Sequence, residues 1–340
     1  MLVTNQYERY SRQMLFQPIG EEGQKRLAGK RVLIVGMGAL GTAISNHLVR
    51  AGVGHVRFAD RDYVEKSNLQ RQMLFDEDDV KASLPKAVAA EQKLKKMNSS
   101  IKIEGIVADV TLENIDELLD GMDLVIDGTD NFSTRFLMND ACFKKGIPFV
   151  YGGAVSSRGM SALFIPGETP CLRCFITDNG STTQTCDTVG VISPIVDIVA
   201  SYQVVEALKY LVNDSRQRKS LLTIDIWQNR TYEMKFNQPK KDCPTCQQEE
   251  YPALKRQPED NVTSLCGRET VQIKVRGHLS LDEWEKRLSK VAQVKRTPFL
   301  LRVELSEGER LVLFPDGRTL VQGTEDIVRA KSLYARYIGL

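Results

Sequence analysis

The residues in this chain whose types and spacing could do chemistry are a glycine run, a scatter of cations and acids behind it, and two pairs of cysteines. Gly36-Met37-Gly38-Ala39-Leu40-Gly41 satisfies G-x-G-x-x-G; it follows the apolar run RVLIVG (31–36) and opens the helical pattern ALGTAISNHLVRAG. Glycines let a backbone approach phosphate oxygens, and the helix N-terminus behind them supplies N–H donors and partial positive charge. Asp60 ends the next apolar strand, HVRFAD, where a carboxylate can accept hydrogen bonds from ribose hydroxyls. A glycine-tolerant turn without a ligand is the plain alternative, but strand, turn, helix and placed acid together point to an adenine nucleotide. By itself the constellation favours NAD, yet adenosine ribose is the same in NAD and ATP, so Asp60 does not discriminate. The phosphates do. A dinucleotide pyrophosphate is served by backbone donors, whereas a triphosphate that sheds pyrophosphate calls for cations and magnesium.

Such groups follow the second strand. Ser67-Asn68-Leu69-Gln70-Arg71-Gln72 is a polar loop with one arginine, and Lys86 stands in the first turn of a helix. A lysine there opposes the helix dipole; it is either a tolerated, solvated side chain or one compensated by an anion. Gly128-Thr129-Asp130-Asn131 ends another strand at the carboxyl edge, where open α/β sheets bind ligands. Asp130 could hold magnesium through one carboxylate, or Asp130 or Asn131 could simply cap the next helix.

Cys171-Leu-Arg-Cys174 and Cys243-Pro-Thr-Cys246 have the ligand number and local spacing of a four-cysteine zinc site, one that would staple two distant segments. A redox pair is the alternative for Cys243 and Cys246, but that pair sits in a polar loop and not at a strand-to-helix turn. Cys142 reads as a buried helix residue and Cys266 is unassigned, as are His47, His55 and His278. Seven cysteines, an odd number, argue against a secreted disulfide framework.

The elements that must position these groups alternate. Strands at 31–36, 55–60, 101–110, 123–130 and 147–153 are separated by helical patterns, among them a helix from Ser83-Leu84-Pro85-Lys86 to about Met97 with Ser83 as its N-cap, and NFSTRFLMNDACFKKG, which stops at Gly146. The expected fold is α/β: a doubly wound, largely parallel, Rossmann-like sheet. Antiparallel strands extend it, from MSALFIPG and a hairpin in LLTIDIWQNRTYEMKF, with a long apolar helix in VISPIVDIVASYQVVEALKYLVN that is either buried or at a subunit interface. The Ser/Thr-rich stretch 176–188 reads as a mobile loop. Residues 1–247 form one expected domain, 248–262 a charged linker, and 263–340 a small α+β domain built from TVQIKV, LDEWEKRLSKVA, two strands around a PDGR turn and a closing helix.

Length and composition agree with this organisation. At 340 residues, with 42% hydrophobic and 26% charged residues, the chain can bury a large core. A net charge of +2, with basic and acidic residues interspersed, gives no nucleic-acid stripe. Neither a signal region nor an apolar run approaching about 18 residues is visible, so no membrane partner is expected and the chain reads as cytosolic.

RYSRQ near the N-terminus, GMGALG, SNLQRQ, the Pro-Lys helix start, GTDN and the two C-x-x-C pairs occur in an order that resembles the MoeB/ThiF/HesA family, bacterial relatives of ubiquitin-activating enzymes. The resemblance covers about residues 5–247. It implies that ATP adenylates the C-terminal glycine carboxylate of a small ubiquitin-fold sulfur carrier, ThiS-like or MoaD-like, in thiamin or molybdopterin synthesis. It further implies that Gly36, Gly38 and Gly41 form the nucleotide turn, Asp60 takes the ribose, and Asn68, Arg71 and Lys86 neutralise the phosphates. Asp130 would bind Mg2+, the four cysteines Zn2+, and Arg12 would reach the phosphates of a neighbouring subunit, which implies a homodimer. A cysteine at the place of Cys186 is a candidate acceptor of the activated carrier, with a sulfur-donor enzyme as a further partner; Asp187-Thr188 departs from the Glu-Ala usual there, and a dispensable surface thiol is the alternative. The rival readings are adenylation of another small polypeptide, an NAD-dependent oxidoreductase, and a zinc-bearing scaffold without turnover. Arg71, Lys86 and Asp130, with no histidine placed for hydride chemistry, weigh against the last two.

Overall fold

A computed structural model describes residues 5–176, 189–255, 262–265, 269–275 and 277–339, the side chains of 5, 6 and 263–265 apart. Residues 177–188 of the expected loop, with Cys186 among them, and Cys266 lie outside the described residues. Two compact units divide the chain, one of residues 1–81 and 85–255, the other of 82–84 and 256–340.

The first unit is built on an eight-stranded sheet, β3-β2-β1-β4-β5-β6-β7-β8. Strands β1 (Arg31–Val35), β2 (His55–Asp60), β3 (Lys102–Val107), β4 (Leu124–Asp127) and β5 (Phe149–Val155) run parallel. The central strands β1 and β4 are apolar in runs because both their faces are covered. Strands β6 (Arg158–Phe164), β7 (Ser220–Asp225) and β8 (Arg230–Lys235) add on antiparallel, as the doubly wound expectation with antiparallel extension requires. Between β1 and β4 the strand order reverses, which leaves a crevice at their carboxyl ends.

The helix Ala39–Ala51 ends at Gly52 and the helix Phe132–Lys145 at Gly146, both glycines left-handed as C-caps. The long apolar helix spans Ser193–Leu211 and buries Ile195, Val199, Gln203 and Ala207, leaving Tyr202 and Val205 exposed. Two boundaries differ from expectation. Ser83 does not cap the helix Lys86–Met97: its φ is +50°, and Pro85 occupies the cap position without a side-chain bond. The Lys86 N–H finds its acceptor across the turn instead, on the Asp62 carbonyl at 2.9 Å. The segment 248–262 is not uniformly a linker either, because a short helix Pro252–Lys255 lies in it and the Ala253 N–H donates to Asp140.

The second unit is an antiparallel sheet, β11-β12-β13-β14-β10-β9, whose apolar cluster includes residues of the helices Leu281–Leu288 and Ile327–Tyr337. Beyond the expected strands β10 (Thr270–Lys274), β13 (Arg310–Leu313) and β14 (Arg318–Gln322), it contains β9 (Val262–Leu265), β11 (Gln293–Arg296) and β12 (Leu301–Glu304). Among the described residues no helix is long and apolar enough to cross a membrane.

Candidate nucleotide site and cysteine cluster

Three glycines let the crevice close to backbone distance. Gly36 has φ +90°, and a Cβ there would stand 2.7 Å from the Gly128 carbonyl oxygen. One on Gly41 would stand 2.0 Å from the Gly36 oxygen, and one on Gly128 2.5 Å from that same oxygen. The ends of β1 and β4 and the start of the Ala39–Ala51 helix therefore touch through backbone alone. Gly38 differs: it is the N-cap residue of that helix, and its nearest neighbour on the Cβ side is 4.0 Å away. Gly36 and Gly41 are held against the protein's own backbone, while the Cβ side of Gly38 is open at the helix N-terminus.

Asp60 reaches back to this turn. Its Oδ2 accepts from the Met37 N–H at 2.6 Å and its Oδ1 from the Asp62 N–H at 2.7 Å. Burial is the largest influence on its carboxyl and raises its pKa; the charge of Lys86 works in the opposite direction. Lys86 is itself buried, with Nζ 3.2 Å from Asp62 Oδ2. The solvated-lysine alternative is thereby excluded: acids hold this ammonium beside the crevice and offset its unfavourable place on the helix dipole.

The loop after β2 is organised by Asn68. Its Oδ1 accepts from the Glu65 N–H at 3.1 Å, half of a capping box around the turn Lys66–Asn68. Arg71, half-buried, donates to the Ser67 carbonyl at 2.9 Å. Arg12 lies exposed in the short helix Ser11–Met14, followed by the exposed Leu15 and Phe16, and makes no hydrogen bond or ion pair among the described residues.

At the end of β4 the helix cap is Asn131, whose Oδ1 accepts from the Thr134 N–H at 2.8 Å. Asp130 is thus released from capping, and it is exposed at the carboxyl edge. Behind it stand residues that sequence reasoning missed. Asp127 is fully buried and pairs with Arg135, Nε to Oδ2 at 2.8 Å, and Gln203 donates to the Asp127 carbonyl at 2.8 Å. The available signal was an acid inside the apolar run LVID.

The four cysteines converge. Their sulfurs all lie within 4.8 Å of one another, with Cys171 to Cys243 and Cys174 to Cys246 each at 3.5 Å. Tetrahedral Zn–S bonds of about 2.3 Å place sulfurs about 3.8 Å apart, so the donor set fits that ion. A buried carboxylate supports both halves. Asp140 takes Arg173 bidentately at 2.9 Å and accepts from Thr245 Oγ1 at 2.6 Å and from the Ala253 N–H at 2.8 Å. The neighbouring Asn139 accepts from the Leu172 N–H at 2.9 Å. Cys142, as expected, is buried on the same helix, and burial pushes its thiol pKa up.

Comparison with known proteins agrees with this fold. The ThiF family model matches residues 10–245. The chain is 47% identical over 335 residues to a sulfur carrier protein ThiS adenylyltransferase of Bacillus subtilis, covering 97% of this chain and 99% of that protein. It is 38% identical over 206 residues to the protein of the same name in Escherichia coli, covering 60% of this chain and 81% of that one. The fold matches that of E. coli MccB in its structure with ATP, with a TM-score of 0.61, 22% identity, and coverage of 71% of this chain and 76% of that one.

Proposed function

The chain belongs to the ThiF family, and on that premise we propose that it uses ATP to adenylate the C-terminal glycine carboxylate of a ubiquitin-fold sulfur-carrier protein. It is an adenylyltransferase. The carboxylate oxygen attacks the α-phosphorus, the bond from that phosphorus to the β-bridging oxygen breaks, and pyrophosphate leaves. No general base is needed because the nucleophile is already ionised, so catalysis is positioning plus charge stabilisation.

The residues divide this work. The N–H groups behind Gly36, Gly38 and Gly41 take phosphate oxygens, and Asp60 takes the ribose. Asn68, Arg71 and Lys86 face the phosphate charge. The exposed Asp130 carboxylate would hold magnesium, which would supply charge neutralisation for the phosphates. Cys171, Cys174, Cys243 and Cys246 would hold structural zinc. Arg12, unengaged in its own protomer among the described residues, would act on the phosphates of a second copy, with Leu15 and Phe16 beside it supplying apolar surface for a homodimer. Cys186 is the candidate thiol for the later sulfur step, in which a sulfur-donor enzyme would be the further partner.

One observation carries the choice of carrier. The similarity to the Bacillus ThiS adenylyltransferase runs through 97% of this chain, so it includes the second unit and not the nucleotide fold alone. A ThiS-like carrier, and with it thiamin synthesis, is therefore favoured over a MoaD-like one in molybdopterin synthesis. ATP–pyrophosphate exchange with each purified carrier tests this. Exchange should depend on a carrier ending in glycine and be faster with the ThiS-like protein, and Asp130→Ala should lower it roughly 100-fold or more. Exchange with neither carrier would overturn the reading.

A further inference from the structure

Asp130 is placed by its neighbours. If it works at the phosphates, as proposed above, its backbone must be fixed while its side chain stays exposed. We propose that Arg135, acting through Asp127 and Thr129, is the positioning residue that fixes the Asp130 carboxylate at the carboxyl edge of β4.

Every polar group of Thr129 is engaged. Its N–H donates to Asp127 Oδ1 at 2.9 Å and its hydroxyl to the same oxygen at 2.7 Å. Its carbonyl accepts from an Arg135 terminal nitrogen at 2.8 Å. That nitrogen also donates to the Gly152 carbonyl on β5 at 3.0 Å, while Arg135 Nε closes the loop on Asp127 Oδ2. The guanidinium lies 4.9 Å from the Phe132 ring centroid and 5.3 Å from that of Tyr151. On the other side of Asp130, Asn131 is locked by its own cap on Thr134. Both flanking residues are therefore held, and one exposed carboxylate projects between them.

The cost of this arrangement argues for a purpose beyond packing. A buried ion pair is weak support for a fold, since desolvation offsets the Coulombic gain and an apolar pair often does as well. What apolar residues could not do is accept two bonds from Thr129 and donate to two carbonyls from one planar fork. Burial works against the charged form of Arg135, and the Asp127 carboxylate, with Asp130 contributing less, outweighs it.

Thr129→Val removes one donor to Asp127 with little change of shape. In ATP–pyrophosphate exchange with the ThiS-like carrier it should lower kcat about 10-fold and raise the half-saturating Mg2+ concentration several-fold, leaving KM for the carrier within about twofold. Made on an Asp130→Ala background, it should cause no further loss, the non-additivity that marks residues acting as one unit. Arg135→Lys keeps the charge but not the fork, and should give the same pattern more strongly if it folds. An equal loss from Thr129→Val in both backgrounds, or an unchanged kcat and Mg2+ dependence, would overturn the proposal while leaving Asp130 in place. Wild-type exchange by Asp130→Ala alone would sink the reading of Asp130 and this one with it.

Discussion

Two glycine-to-alanine changes in one motif should fail in different ways. At position 41 the added methyl would meet the Gly36 carbonyl oxygen at 2.0 Å and its carbon at 2.9 Å. Both are backbone atoms of a residue already at φ +90° and pressed on Gly128, so neither can rotate aside. To reach ordinary contact the turn and the helix must separate by more than about 1 Å. Overpacking of this kind typically costs about 1–3 kcal/mol, and a backbone obstacle puts Gly41→Ala at the upper end, a fall in Tm of about 6–10 °C at a few degrees per kcal/mol. The same displacement moves the N–H groups of the turn, and about 1 Å of misplacement is worth roughly 100-fold in rate. At position 38 the methyl meets protein only at 4.0 Å and projects into open space. Gly38→Ala should keep the wild-type Tm within about 2 °C while raising KM for ATP about 10-fold or more, because that space is the proposed place of the phosphates. Thermal melts without ligand, paired with ATP titrations of pyrophosphate exchange, read the two effects separately. If Gly41→Ala matched wild type in both, or if Gly38→Ala lost Tm as Gly41→Ala does, the division of the motif into packing and access would be refuted.

Three other outcomes follow from the site. Burial raises the Asp60 pKa in the folded protein, so the folded state takes up the proton first; the stability this group contributes is present below the unfolded carboxylate value of about 3.9 and is lost as pH rises through the folded value. The Tm of wild type relative to Asp60→Asn should therefore rise as pH falls from 7 toward 4, and at pH 7 the variant should bind ATP more weakly; a relative Tm constant or falling over that range would contradict the burial argument. Protein purified without chelator should contain one zinc per chain, with Cys243→Ser losing both the metal and several degrees of Tm, and a zinc-free, fully stable wild type would end the zinc reading. Arg12→Ala and Asp130→Ala should each lose roughly 100-fold or more alone, yet co-refolded as a mixture they should recover about a quarter of wild-type exchange through heterodimers with one intact site; no recovery would place Arg12 in its own protomer's site or outside the mechanism.

What could be read from the chain depended on which faces were covered. Strands β1 and β4 declared themselves because their residues are buried in runs, and every residue of LVID is buried; β3, with only Ile103 buried, was legible from its place in the strand–helix alternation. Strand β8, exposed at all six positions, was recognisable only through its hairpin partner. In the second unit, β11 alternates exposed with half-buried residues over QVKR, a pattern too short and polar to stand out. The glycines, acids and cations of the proposed nucleotide site were legible, since their types are odd for the places they hold. The residues behind them were not. Asp127, Arg135, Gln203 and Asp140 are polar and almost wholly buried; Asp127 and Arg135 meet across a strand-to-helix turn, Gln203 meets the Asp127 carbonyl 76 residues away, and Asp140 meets Thr245 at a separation of 105.

The helix Phe132–Lys145 shows why those hidden residues matter together. Its N-terminal end carries Arg135, which fixes Thr129 beside Asp130. Its middle carries Asn139 and Asp140, which hold the segment of Cys171 to Cys174 and that of Cys243 to Cys246. From Arg135 to Asp140 is only about 7–8 Å of helix at about 1.5 Å per residue. The cysteine cluster is therefore not a remote staple. It braces the element whose first turn aims the Asp130 loop, and a metal-free chain that kept its fold should show the Thr129→Val kind of defect, a weakened response to Mg2+, before it showed any loss of nucleotide turn or sheet.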